Sequence, residues 1–207
     1  MYNINEMFYS LIGEGMYTGT PATFIRLSGC NLNCPFCDTE DRINAKLSLD
    51  QILKEIKKYP SKRVVITGGE PTLQDINTLA SFLTDKGYYL HLETNGTRHF
   101  DASYFDWVVV SPKTRDLSDR AMASVNELKF LVDASKDWKS LVINILAQYS
   151  LPTLQRLYLM PVAKNYQTGD RSINDFIDKN IQEAINFCKE NPIFSLCIQM
   201  HKVLRIK

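Results

Sequence analysis

The 207-residue sequence carries almost no net charge, with 24 lysines and arginines against 23 aspartates and glutamates. No global field therefore argues for nucleic acid or an anionic membrane as a partner. No window approaches the roughly 20 apolar residues that cross a bilayer, and Met1–Glu6 shows no basic stretch leading into an apolar one. Internal repeats and low-complexity tracts are absent. Cysteine is scarce and odd in number, five residues in all, with three of them clustered, which argues against the paired framework of a small secreted domain. The expectation is a reducing, cytoplasmic setting. What remains is an ordinary globular composition, 44% hydrophobic and 23% charged, long enough for one sizeable core. No linker or shift in composition divides the chain, so residues 1–207 are expected to form a single domain.

Short apolar runs alternate with amphipathic stretches. Thr23–Leu27, Arg63–Thr67, Tyr89–Glu93, Trp107–Val110, Leu128–Val132, Leu157–Met160 and Phe194–Ile198 read as strands. Ser48-Leu-Asp-Gln51 fits a capping box before a helix that runs to about Lys58. Further helices are expected over Asp75–Asp85, Lys136–Gln148 and Asn174–Glu190. Strands separated by helices imply parallel pairing through right-handed crossovers. The fold class is therefore α/β. Some six strand–loop–helix units are too few to close an eight-stranded barrel, so a partial parallel β/α barrel of about six strands is predicted. The unusual residues gather just after the strands, where sites form in such sheets.

The first of these clusters is Cys30-Asn-Leu-Asn-Cys34-Pro-Phe-Cys37. Thiolates are soft ligands for zinc, copper(I) or iron–sulfur clusters. Four would close a structural zinc site or a [4Fe–4S] cluster; three leave one metal position open. No second C-x-x-C pair supplies the fourth, and Cys188 and Cys197 lie in helix and strand patterns that suit buried small hydrophobes. A site-differentiated [4Fe–4S] cluster is the preferred reading, with a zinc-stabilised interaction module as the non-enzymatic alternative. The second cluster, Thr67-Gly68-Gly69-Glu70-Pro71, is a strand end with a turn, or a place where an acid beside free backbone holds an ammonium group. Arg26 interrupts an apolar strand and calls for a partner.

The C-x3-C-x2-C spacing followed by Gly68-Gly69-Glu70-Pro71 resembles the radical S-adenosylmethionine enzymes. That resemblance implies that Cys30, Cys34 and Cys37 hold three irons and that S-adenosylmethionine chelates the fourth. Reductive cleavage of the sulfonium then yields a 5′-deoxyadenosyl radical that takes hydrogen from substrate. It further implies that Phe36, Cys37 and Asp38 lie along the cofactor, that Gly69 and Glu70 meet its amino group, and that Ser111 and Lys113 meet its carboxylate or ribose.

Phe8-Tyr-Ser-Leu-Ile-Gly-Glu-Gly15, Gly19-Thr-Pro-Ala-Thr-Phe-Ile-Arg-Leu27, Cys37-Asp-Thr39, Glu93-Thr-Asn-Gly96, Ser111-Pro-Lys113 and Gln199-Met-His-Lys202 together resemble the 7-carboxy-7-deazaguanine synthases. By that resemblance the substrate is 6-carboxy-5,6,7,8-tetrahydropterin, contracted with loss of ammonia to a deazapurine of the queuosine pathway. S-adenosylmethionine is regenerated and Mg²⁺ is used. Thr39 would ligate Mg²⁺. Ile12, Gly13, Glu14, Arg26, Thr67, Glu93, His201 and Lys207 would contact substrate, Glu14 reading the pterin edge and Arg26 its carboxylate. Thr94 is a further contact. The family usually carries Gln where this chain has Ile12, which leaves backbone contacts at that position. A homodimer and an electron donor such as flavodoxin or ferredoxin are implied. A glycyl-radical activating enzyme shares the cluster and the Gly-Gly-Glu-Pro turn, and stands as the alternative.

Overall fold

The computed structural model describes residues 1–37, 39, 42–162 and 179–207. In chain order its elements are β1 (Tyr2–Leu11), β2 (Pro21–Leu27), β3 (Ala45–Leu47), α1 (Leu49–Ile56), β4 (Arg63–Gly68), α2 (Ile76–Asp85), β5 (Tyr89–Thr94), β6 (Trp107–Val110), α3 (Asp119–Ala123), β7 (Glu127–Val132), α4 (Trp138–Gln148), β8 (Arg156–Pro161), α5 (Lys179–Glu190), β9 (Ser195–Leu196) and α6 (Met200–Leu204). One open sheet runs β3-β1-β2-β4-β5-β6-β7-β8-β9. From β2 onward every pairing is parallel, whereas β1 pairs antiparallel with both β2 and β3. The sheet is mostly parallel and unclosed, compatible with the partial barrel. Among the described residues seven strands pair in parallel, in line with the expected six or so, the last only two residues long.

Most predicted elements appear within a residue or two of their expected ends. Ser48 and Gln51 form the capping box in full, each side chain bonded to the other's backbone N–H. Asp75 and Asp137 cap α2 and α4 in the same spirit. The expected helix over Asn174–Glu190 is described from Lys179 onward, its first turns lying outside the described residues.

β1 was not expected. Its register slips between Ile4 and Glu6, and a slip of this kind reverses which face the following side chains meet. Ile4 and Met7 thus both join the main core although they are three apart, and the period of two that marks a strand is erased.

The two faces of the sheet differ in kind. Ile25, Leu27, Val64, Ile66, Leu90, Leu92, Val108, Val110, Leu128 and Phe130 form the main core with Ile52 and Ile56 of α1, Leu79 and Leu83 of α2, and Val142 and Ile145 of α4. Burying such side chains is worth about 1.5–3 kcal/mol each. The alternate residues line the opposite face: Phe24, Val65, His91 and Trp107 follow one another in register, as do Glu93, Val109 and Glu127. The helices therefore cover one face, and the other mixes charged and aromatic groups with a small apolar cluster of Ile12, Ala22 and Val65.

Candidate active site

A cleft of about 570 Å³ opens over the C-terminal ends of the parallel strands. Cys30, Cys34, Phe36 and Cys37 line one wall; Thr67, Gly68 and Gly69 line another; Glu14, Glu93 and Lys129 contribute charge, with Ser111, Lys113 and Gln199 nearby. All five cysteines of the chain are free thiols.

The cysteine loop is fastened from two sides. The Glu70 N–H donates to Gly29 O at 2.7 Å and the Gly69 N–H to Leu27 O at 3.2 Å. A Cβ on Gly69 would stand 2.4 Å from Gly29 O and 2.9 Å from Cys30 Cβ, so glycine is what lets the two segments touch. On the other side Asn95 Nδ2 donates to Asn31 Oδ1, and Asn31 Nδ2 donates to Thr97 Oγ1. The Leu32 N–H points at Cys30 Sγ, 3.4 Å away. Burial pushes the Cys34 thiol up, against the charge of Lys113.

Glu70 sits behind the cleft wall. Its side chain is wholly buried and does not line the cleft. One carboxylate oxygen accepts from Thr72 N, Thr72 Oγ1 and Thr94 Oγ1, and the other accepts from Asn95 N. Four donors engage it, so it ties the β4 turn to the β5 loop.

Glu14 and Glu93 meet through a residue that sequence reasoning missed. Lys129, 3% exposed on β7, places Nζ 2.5 Å from Glu14 Oε2 and 3.1 Å from Glu93 Oε2. Gln199 Nε2 donates to Glu14 Oε1, and Lys202 Nζ donates to Gln199 Oε1. His91 Nε2 lies 3.3 Å from Glu93 Oε1. Burial alone would raise both carboxyls, but the Lys129 ammonium overrides it: Glu14 lies below its ordinary value and Glu93 falls to about 2. Lys113, desolvated and facing the Lys129 charge, is pushed down to about 8. On the same face of the sheet, burial raises Glu127, which accepts from Trp107 Nε1 and Met16 N. The signal for Lys129 was a lysine inside the apolar run Leu128–Val132, the same anomaly that drew notice at Arg26.

The remaining expected site residues stand apart from the cleft lining. Arg26 Nε pairs with Glu6 Oε1 at 2.9 Å, and its Nη1 reaches Thr39 Oγ1 at 3.4 Å. Lys207 Nζ holds the other Glu6 oxygen at 2.7 Å, and Ser10 Oγ donates to the Lys207 carbonyl. This rim group adjoins the cleft because Arg26 is in register with Thr67. Ile12 also lies outside the lining. Its N–H and C=O are joined to Thr20 and Gly19 in the β1–β2 turn, and its side chain is buried with Ala22 and Val65. Gly13 lies under His201, whose Nδ1 would be 2.2 Å from a Cβ there, so both residues form the shoulder of the site rather than its lining. Asp38 lies outside the described residues.

Cys30, Cys34 and Cys37 share one wall of the cleft, and thiolates are the donors that an iron–sulfur cluster takes. The Radical SAM superfamily model matches residues 24–160. The fold and this cleft therefore define a radical S-adenosylmethionine protein, a class that carries a [4Fe–4S] cluster and S-adenosylmethionine.

The chain is 35% identical over 207 residues to the 7-carboxy-7-deazaguanine synthase of Bacteroides thetaiotaomicron, covering all of both chains. It is 32% identical over 215 residues to that of Haemophilus influenzae, covering all of this chain and 94% of the other. Among solved structures it resembles QueE from Escherichia coli, with TM-score 0.78 and 31% identity over 97% of this chain and 94% of that one. Within the radical SAM superfamily, the chain belongs to the 7-carboxy-7-deazaguanine synthase family.

Proposed function

We propose that the protein converts 6-carboxy-5,6,7,8-tetrahydropterin to 7-carboxy-7-deazaguanine with release of ammonia, in deazapurine biosynthesis. The observation that carries this reading is one cleft faced by three free thiols and by the ion-paired carboxylates Glu14 and Glu93, in a chain akin to these synthases from end to end. The cluster with bound S-adenosylmethionine supplies a one-electron reductant and a hydrogen-abstracting carbon radical.

Cys30, Cys34 and Cys37 hold the cluster. The Gly68–Gly69 backbone, Ser111 and Lys113 hold the cofactor's methionine end, and Phe36 borders its adenine. Glu14 accepts from the N–H edge of the pterin, a role that an ionised, acceptor-only carboxylate fills. Thr67 and Glu93 border the ring. Arg26, its fork suited to carboxylates, receives the substrate carboxylate from the rim with Lys207 beside it. Thr39 offers one neutral oxygen already within reach of Arg26, so it holds Mg²⁺ only together with oxygens from substrate and water.

The free state of all five cysteines supports a cytoplasmic site of action. The exposure of Cys30 and Cys37 supports electron delivery at the cluster loop by a flavodoxin or ferredoxin. The family resemblance supports a homodimer. No helix among the described residues is long and apolar enough to cross a membrane.

The test is anaerobic incubation of the reconstituted protein with the carboxytetrahydropterin, S-adenosylmethionine, Mg²⁺ and reductant, followed by mass detection. The deazapurine is expected, with S-adenosylmethionine unconsumed. Absence of product from protein with a full complement of iron and sulfide would refute the assignment.

A further inference from the structure

Lys129 is costly to bury. An ammonium taken out of water loses several kcal/mol of hydration, and a buried ion network is seldom more stable than apolar side chains of the same volume. Stability alone therefore does not account for a lysine in the middle of β7. Its surroundings suggest what does. It touches Glu14 from the loop after β1 and Glu93 from β5. Glu127 on its own strand, Cys197 after β9 and Lys113 after β6 are the other charged or titratable groups that feel it. His91 stands behind Glu93, and Lys202 donates to Gln199, which in turn donates to Glu14.

We propose that Lys129 is a positioning residue for substrate recognition: it holds Glu14 and Glu93 together as two ionised, acceptor-only carboxylates, so that the cleft selects heterocycles presenting an edge of adjacent N–H donors. This rests on the reading of Glu14 as the carboxylate that meets the pterin. Two carboxylates sharing one site without a cation cannot both stay ionised, and one takes up a proton. A protonated carboxyl presents an O–H where an acceptor is needed, and a donor then faces the substrate's own donors. Lys129 prevents that exchange by neutralising the repulsion between the pair. Gln199 fixes the second Glu14 oxygen, so that the carboxylate does not rotate away from the cleft.

The experiment compares Lys129→Met, Glu14→Gln, Glu93→Gln and the double variant K129M/E93Q. It measures KM and kcat for the carboxytetrahydropterin across pH, with iron content and S-adenosylmethionine affinity as controls. K129M is expected to raise KM about tenfold or more. It is also expected to move the acid limb of kcat/KM upward, because the unpaired carboxylates protonate more readily, while cluster loading and cofactor affinity stay at wild-type values. K129M/E93Q is expected to recover much of the lost affinity and to return the acid limb toward its original position, since Glu14 no longer competes with a second charge. A lysine that only braces the fold would leave the acid limb in place.

If E14Q raises KM but K129M changes neither KM nor the limb, Lys129 does not position the pair. If E14Q itself leaves KM unchanged, the reading of Glu14 fails and the inference fails with it. Should K129M not accumulate as folded protein, the double variant, with one fewer unpaired charge, decides. A KM as high as that of E14Q would overturn the proposal.

Discussion

Glu70→Gln changes one atom and no volume, yet it should loosen both the fold and the cluster loop. The carboxylate is fully buried and accepts from two backbone N–H groups, Thr72 at 3.0 Å and Asn95 at 2.7 Å, through different oxygens. An amide can offer an oxygen to only one of them. If its NH₂ replaces the oxygen facing Asn95, two fixed donors confront each other. If it takes the other position, the Thr hydroxyls can rotate but the Thr72 N–H loses its acceptor. Hydrogen bonds to a charged group contribute about 1.5–3 kcal/mol, and an unmet buried donor costs a comparable amount. A net loss of about 3 kcal/mol is the working figure, which in a chain of this size lowers Tm by about 6–12 °C. Anaerobic thermal unfolding of the apoprotein checks it, with iron content after reconstitution as the second readout, because the Glu70 N–H also anchors Gly29 before the first cysteine. A fall in Tm of less than about 2 °C would refute the account of Glu70 as the tie between the two loops.

Gly69→Ala places a Cβ 2.4 Å from Gly29 O, an overlap costing about 1–3 kcal/mol. Iron and sulfide loading should drop with little change in far-UV dichroism, and normal loading would show that the loop yields freely. Arg26→Ala removes the guanidinium from Glu6 and Thr39 and should raise the substrate KM about tenfold while leaving cluster assembly intact; an unchanged KM would make Arg26 purely structural. For acid stability, Glu93 falls from 4.5 to about 2 and Glu14 is also lowered. Their contribution is complete above pH 4.5 and is lost as pH falls toward 2. Urea unfolding at a series of pH values should show that decline, and K129M should shrink it.

Much of this was legible in one dimension because local chemistry demanded it. The period of apolar residues and the Ser48 capping box marked the parallel strands and their helices. The spacing of three thiols and the double glycine after β4 marked the chemistry, since soft ligands and close backbone approach each call for particular residue types. β1 stayed hidden because a register slip broke its alternation, whereas β9 was expected over five residues and only two of them pair.

Other features belonged to the tertiary structure alone. An acid beside two glycines looks the same whether it turns outward to a ligand or, as Glu70 does, inward to four donors. A lysine in an apolar strand is an anomaly until folding brings Glu14, 115 residues away, and Glu93, 36 residues away, to its ammonium. Residue type and spacing specify which atoms are available, and they did so here for the cysteine loop. Which charges share a site depends on long-range register, and that is why the pairing beneath the cleft emerged only once the strands lay side by side.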